Sequence, residues 1–196
     1  GPAGEVHEGR DQSVSQAKKN MFLVLGKDET GLSMYYVEMG ERPHLSSIPY
    51  GSIGSGSDES DRVLYEFLRS LPRDQRHSIN FVQGMTALIR ATNRSSEFNQ
   101  GVGGIPTIAF FRDKKIETLG ENESLLATEI VKASDIGLIK PADAHSALEE
   151  LFTCQANHRD VDERVFGEKS NYLDIMKFLR GYRTNGNGAS DQKSDS

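Results

Sequence analysis

Tyr50-Gly51-Ser52-Ile53-Gly54-Ser55-Gly56-Ser57-Asp58 is the stretch on which the reading of this 196-residue chain turns. Three glycines interleave with three serines, so the backbone can bend tightly here and approach a neighbour closely. Val63, Leu64, Phe67, Leu68 and Leu71 come next on one face, which predicts a helix over residues 58–71. Asp58, Glu59 and Asp61 open that helix, where negative charge complements the helix dipole, and Pro72 helps end it. A phosphate loop would require Gly-x-x-x-x-Gly-Lys-Ser/Thr, and no lysine is present. A nucleophile elbow would require Gly-x-Ser-x-Gly, and none of these serines has glycine two residues to each side. On the residues alone, the stretch is a strand-to-helix turn capped by a serine or aspartate.

Outward from the turn, residues 21–26 (MFLVLG) form a continuous apolar run of strand length, which reads as a strand buried on both faces. Residues 27–31 turn, and residues 32–39 (LSMYYVEM) resume with aromatics that favour strands, so a hairpin is expected. Residues 44–55 read as a third extended segment. Towards the C-terminus, a second helix is expected over residues 73–92, with Ile79, Val82, Met85, Leu88 and Ile89 on one stripe. Gly84 inside it costs roughly 1 kcal/mol relative to alanine, which marks it as a point of close helix packing. Strands are expected at residues 105–112 and 116–119, joined by a turn at Asp113-Lys114-Lys115. Helical spacing returns at residues 142–152 and 171–182. Strands, two helices, strands and then helices make an α+β pattern rather than alternating βαβ.

Composition bounds the function. The net charge of −6 disfavours a nucleic-acid footprint, which needs a concentrated basic surface. No apolar run has the roughly 18–20 residues that span a bilayer. Cys154 stands alone, which removes an intrachain disulfide and a thiolate zinc site and reads as a buried structural thiol. His7, His44, His77, His145 and His158 are scattered without ligand spacing, so neither a metal nor a cofactor is expected. Asp160, Asp162 and Glu163 lack the glycine and spacing of a calcium loop and read as a solvated loop. Residues 1–19 are almost free of apolar groups and residues 184–196 are polar and of low complexity, so both are expected to be flexible. Gly1-Pro2 reads as the scar of a cleaved expression tag.

The order of motifs from Phe22 to Leu119 carries a resemblance. A strand ending in Gly26-Lys27-Asp28 precedes the Gly-Ser-Gly turn at Gly54-Ser55-Gly56. Two helices come after it, the second closing on Ile89-Arg90-Ala91-Thr92. A glycine-rich bend then leads to Gly104-Ile105-Pro106-Thr107-Ile108-Ala109-Phe110-Phe111. This series, over about half of the chain, resembles the second half of a 20S proteasome subunit, a family of N-terminal-nucleophile (Ntn) hydrolases. The resemblance implies a four-layer αββα sandwich, here incomplete and with extra C-terminal helices. It divides the chain into a flexible segment 1–19, a proteasome-like α+β core 20–120, a helical extension 121–183 and a tail 184–196.

In active members of that family, a threonine exposed at the mature N-terminus attacks the peptide carbonyl. The serine of the Gly-Ser-Gly turn supports its amine, so Ser55 is the one residue the resemblance carries over, in a supporting catalytic role. The strands bearing the threonine, aspartate and lysine have no counterpart here. The family's Arg-Asp-x-x-Ser-Gly sequence after the second helix is replaced by residues 94–104 (RSSEFNQGVGG), whose spacing differs and which receive no role. The implied function is that of a subunit in a protein-degrading assembly of the cytoplasm, or also the nucleus. It is either part of a threonine-type peptidase whose nucleophile half lies on another chain, or a non-catalytic structural subunit. The implied partners are other proteasome-like subunits or a chain bearing the missing half, in an oligomer without nucleic acid or membrane. The alternative is a small-molecule or peptide-binding α+β module that uses the glycine-serine turn.

Overall fold

Met21–Asp28 (β1) and Gly31–Glu38 (β2) form the expected hairpin, antiparallel from Met21 opposite Glu38 to Asp28 opposite Gly31. The computed structural model describes residues 21–29, 31–38, 40–76, 78–99, 101–112, 114–153 and 156–167. The expected helix 171–182, the flexible ends, Cys154, His7, His77 and Asp113 therefore lie outside the described residues. The positive φ of 135° at Gly31 suits the tight connection, because glycine carries no Cβ to clash there. The third extended segment is shorter than expected: only His44–Leu45 (β3) pairs, against Tyr35 and Tyr36. Among the described residues the sheet order is β1-β2-β3, with β1 at an edge.

The chain divides into two compact units, Gly1–Gly54 and Ser55–Ser196. In the first, no described residue is buried, which corrects the expectation that residues 21–26 form a strand buried on both faces. Within this unit, a Cβ at Gly51 would overlap the Tyr36 hydroxyl, so the segment after β3 crosses close over Tyr36.

The second unit opens with Ser57–Ser70 (α1), close to the expected span. Its N-cap is Gly56 and no side chain caps it, which corrects the expected serine or aspartate cap. Phe81–Phe98 (α2) begins eight residues later than expected and ends six later. Its start is set by Asn80, whose Oδ1 accepts from Val82 N at 2.9 Å and Gln83 N at 3.4 Å. Its end is late because the polar run after Thr92 stays helical: Asn93 and Ser95 are buried, and Ser96 Oγ donates to Asn93 O at 2.8 Å. Gly84 is not a close-packing point. A Cβ there would meet only Ile79 Cγ2, at an ordinary 3.6 Å.

Ala109–Arg112 (β4) and Lys115–Thr118 (β5) pair antiparallel. The strand starts four residues later than expected, since Pro106 has no N–H to give a ladder. Lys114 takes a left-handed φ of 64° in the turn. Glu121–Asp135 (α3) falls in the expected helical extension but is not among the helices that periodicity predicted, yet Leu126, Ala127, Ile130, Val131 and Ala133 are all buried on it. It ends in a Schellman motif: Leu138 N donates to Ala133 O at 2.8 Å and Gly137 N to Ser134 O at 3.1 Å, with Gly137 at φ 76°.

Pro141–Thr153 (α4) matches the expected helix within a residue at each end. His158–Asp162 (α5) runs into a π-helical turn, Glu163–Gly167. The acids expected in a solvated loop thus sit on helical backbone, held by Val161 and Phe166, which are fully buried. One core joins Val82, Met85 and Ile89 with Phe110, Leu119, α3 and α4, across the expected boundary at residue 120. Phe81 packs edge-on to Phe110 and Phe152, at 5.3 and 5.9 Å between ring centres. The architecture is α+β, with small antiparallel sheets and mostly helical mass. No described helix is long and apolar enough to cross a membrane.

Candidate functional site

The glycine-serine turn and the far end of α2 meet. Gly56 and Ser60 lie one helical turn apart at the start of α1, as do Ala91 and Ser95 on α2. These small residues let the start of α1 approach the end of α2, so the two helices run antiparallel. Ser95, almost fully buried, donates its hydroxyl to Gly56 O at 2.7 Å. Ser95 Oγ is 2.6 Å from Ser60 Oγ, and with the Ser95 proton given to Gly56 O, Ser60 is the donor in that contact. Gly56 O also accepts from Ser60 N at 3.1 Å in the first turn of α1. Asn99 Nδ2 donates to Ser55 O at 2.8 Å, and Asn99 O accepts from Val102 N at 3.0 Å. A Cβ at Gly56 would lie 2.7 Å from Ser95 Cβ and 3.1 Å from Val102 Cγ2, so only glycine fits without displacement.

Ser55, the one residue expected to support catalysis, is exposed at this junction, with its carbonyl held by Asn99. Residues 94–104, which received no role from sequence, supply the partners Ser95, Asn99 and Val102. The hydroxyls of Ser60 and Ser95 bond each other and backbone carbonyls, not a histidine, lysine or carboxylate. That chemistry is a lock on backbone geometry, since a nucleophilic serine needs a base in hydrogen-bond reach. The spacing Gly56-x-x-x-Ser60 against Ala91-x-x-x-Ser95 is the signal that could have identified these residues.

Two further concavities belong to the helical unit. A groove of about 600 Å³ runs between α1, α2 and α3, with Arg62, Arg90, Arg94 and Lys132 interleaved with Glu66, Glu97 and Asp135. Arg90 grips Asp135 bidentately: Nε lies 2.9 and 2.8 Å from Oδ1 and Oδ2, and Nη2 is 2.5 Å from Oδ1. The hydrogen bonds to Asp135, opposed in part by burial, hold the Arg90 guanidinium above its ordinary pKa. An open cleft of about 990 Å³ lies beside the α3–α4 junction, walled by Leu138, Lys140, Asp143, Ser146, Arg164 and Val165.

Among the described residues no group of three or more His, Cys, Asp or Glu is placed to hold a metal ion. His158 Nδ1 instead meets Glu123 Oε1 at 3.0 Å, joining α5 to the first turn of α3, and His44 lies 3.9 Å from Glu41 on the surface of the sheet unit. No family model, curated protein or solved structure matches this chain.

Proposed function

We propose that this chain is a proteasome-like subunit that works inside a multi-subunit assembly of the cytoplasm or nucleus. In this reading a partner completes its αββα sandwich, and any threonine-type peptidase centre needs a nucleophile carried by another chain. The observation that carries the reading is the three-stranded sheet. Both of its faces are apolar, with Phe22, Val24, Leu25, Leu32 and Leu45 all exposed, and none of its described residues is buried. A sheet of this kind needs a second layer to exclude water, and its β1 edge can accept a further strand.

The Ser55–Gly56 junction supports the same reading. A Gly-Ser-Gly turn followed by two antiparallel helices is the order the resemblance implies, and here Ser95 and Asn99 at the end of the second helix hold that turn. The alternative, a small-molecule or peptide-binding module that uses the glycine-serine turn, is weakened for an anionic ligand by Asp58 and Glu59 in the first turn of α1, because fixed carboxylates repel an anion from the helix end they occupy.

Light scattering and native mass spectrometry of the protein purified from its source test the proposal. A stable complex with companion chains is expected, and a well-folded monomer that gains no partner would overturn it. N-terminal sequencing of the companions separates the two branches. An N-terminal threonine with peptide hydrolysis in the complex marks the peptidase branch. Its absence marks a structural subunit.

A further inference from the structure

Strand β5 has one neighbour among the described residues, β4, so its outer side is an open edge. The register says which groups line that edge. Leu119 N donates to Ile108 O at 2.9 Å, which makes those two residues a hydrogen-bonded pair. Bonded and non-bonded pairs alternate along an antiparallel ladder. Glu117 opposite Phe110 is therefore a bonded pair, whereas Ile116 opposite Phe111 and Thr118 opposite Ala109 are not. The N–H and C=O groups of Ile116 and Thr118 thus point away from β4, into the open edge.

The side chains divide by face. Phe110 and Leu119 are buried on the core side, which Lys115 and Glu117 share, and Glu117 lies 3.5 Å from Arg112. On the other side Ile116 is 77% exposed, the most of any large apolar residue described, and its cross-strand neighbour Phe111 is 49% exposed. Lys115-Ile116-Glu117 also has a symmetry of charge. Laid antiparallel on a second copy of itself with Ile116 opposite Ile116, it sets each Lys115 against the partner's Glu117. The outward backbone groups of the two Ile116 residues then bond each other. The same register joins both Ile116 side chains and both Phe111 rings into one apolar stripe. The adjacent two-fold registers set Glu117 against Glu117 or Lys115 against Lys115, and like charges directly opposite are destabilising.

We propose that two copies of this chain pair through β5 about a two-fold axis at Ile116, making one four-stranded sheet β4-β5-β5-β4. The inference is independent of the proteasome-like reading and concerns the helical unit alone.

Sedimentation velocity of the full-length chain over about 1–500 µM tests it, since so small an interface gives a weak, reversible dimer. The mean mass should rise with concentration towards twice that of the chain. Lys115→Glu and Glu117→Lys each set like charges opposite one another twice over, and each should weaken the dimer by about 10-fold or more. Mixed in equal amounts, the two variants should recover it to within about 3-fold of wild type, because each supplies the charge the other lacks. Lys115→Glu leaves Arg112 and Glu117 together, so it reads the interface even where Glu117→Lys disturbs the fold. A monomer throughout the range would overturn the proposal. So would a Lys115→Glu dimer as strong as wild type, or no recovery between variants whose far-UV circular dichroism matches wild type. Amide exchange by NMR gives a second readout: the Ile116 amide should exchange at least about 3-fold more slowly in the concentrated protein than in the dilute one. Equal protection at both concentrations would mean that the chain's own residues cover the edge, and would overturn pairing with a second copy.

Discussion

The sheet unit and the helical unit use apolar residues to different ends. Met21, Phe22, Val24 and Leu25 make β1 as apolar as any segment of the chain, yet all four are exposed. In the helical unit, α3 contains Glu121, Asn122, Glu123 and Lys132 and still buries eight residues, Ser124 and Glu129 among them. Apolar content therefore does not predict burial in this protein; the number of layers does. An element becomes core only where a second element lies across it. Helix α3 has α2, α4 and α5 as neighbours, whereas the described sheet residues supply a single layer.

The largest test of this contrast is Phe152→Ala. Phe152 is fully buried, packs edge-on against Phe81 and lends its carbonyl to Arg112 Nη2 at 2.5 Å. Truncation should destabilise the helical unit by about 3–5 kcal/mol. Far-UV circular dichroism would read this as a lower urea midpoint, since the chain has no tryptophan to report by fluorescence. A loss below about 1 kcal/mol would mean that the core described around Phe152 is not close-packed.

Next in size is a pair of glycine substitutions in the same unit. Gly56→Ala forces a methyl to within 2.7 Å of Ser95 Cβ, a backbone-proximal atom that cannot swing away. A cost of about 1–3 kcal/mol is expected from overpacking and from loosening the Ser95–Gly56 bond. Gly84→Ala should do the opposite. Its new Cβ meets Ile79 Cγ2 at 3.6 Å, and alanine is the better helix former by about 0.5–1 kcal/mol. Thermal melts of the two variants should shift in opposite directions, and shifts of the same sign would break the distinction between the two glycines.

The same two glycines show where the sequence was readable. Gly56 falls in a turn flanked by a clear amphipathic helix; α1 and α4 carry helical periods that survive folding, and hairpin β1–β2 announces itself by an apolar run and an aromatic one on either side of a turn. Gly84 misleads because helix propensity registers a cost without saying whether a neighbour is near. Helix α3 was illegible for the reason that makes it central: buried on most sides, it has no polar face to set a period, and Ser124, Thr128 and Glu129 dilute its apolar content. The candidate site was half legible. The Ser55 turn stands out by composition, but Ser95 and Asn99 lie in a polar run that reads as loop until its partners across α1 are known.

Arg90 offers a smaller effect, at the surface of the helical unit. Its bidentate bond to Asp135 spans 45 residues, but both side chains are more than a third exposed, so Arg90→Gln should cost no more than about 1 kcal/mol, and less in high salt. The sign of its pH dependence comes from the raised pKa. The contribution is complete below the arginine pKa of the unfolded chain and is lost only as pH rises through the still higher folded value. Wild type and Arg90→Gln should therefore differ by a constant amount between about pH 6 and 9. A gap that opens across that window would assign the titration to some other group.

The smallest expected change is also the sharpest test of the sheet. Leu25 faces Met34 across the hairpin and is 68% exposed. Threonine has the β-branch that strands favour and removes apolar surface, so Leu25→Thr should alter the stability of the purified chain by no more than about 0.5 kcal/mol. In the complex we propose, the same substitution should weaken association, because a leucine under a second layer contributes about 1.5–3 kcal/mol when fully covered. The two measurements bear on each other. A large loss in the purified chain would show that Leu25 is already covered there, and the sheet would then need no partner. An unchanged complex would place the partner on another face, with Phe22 and Val24, which β1 points to the opposite side of the sheet from Leu25.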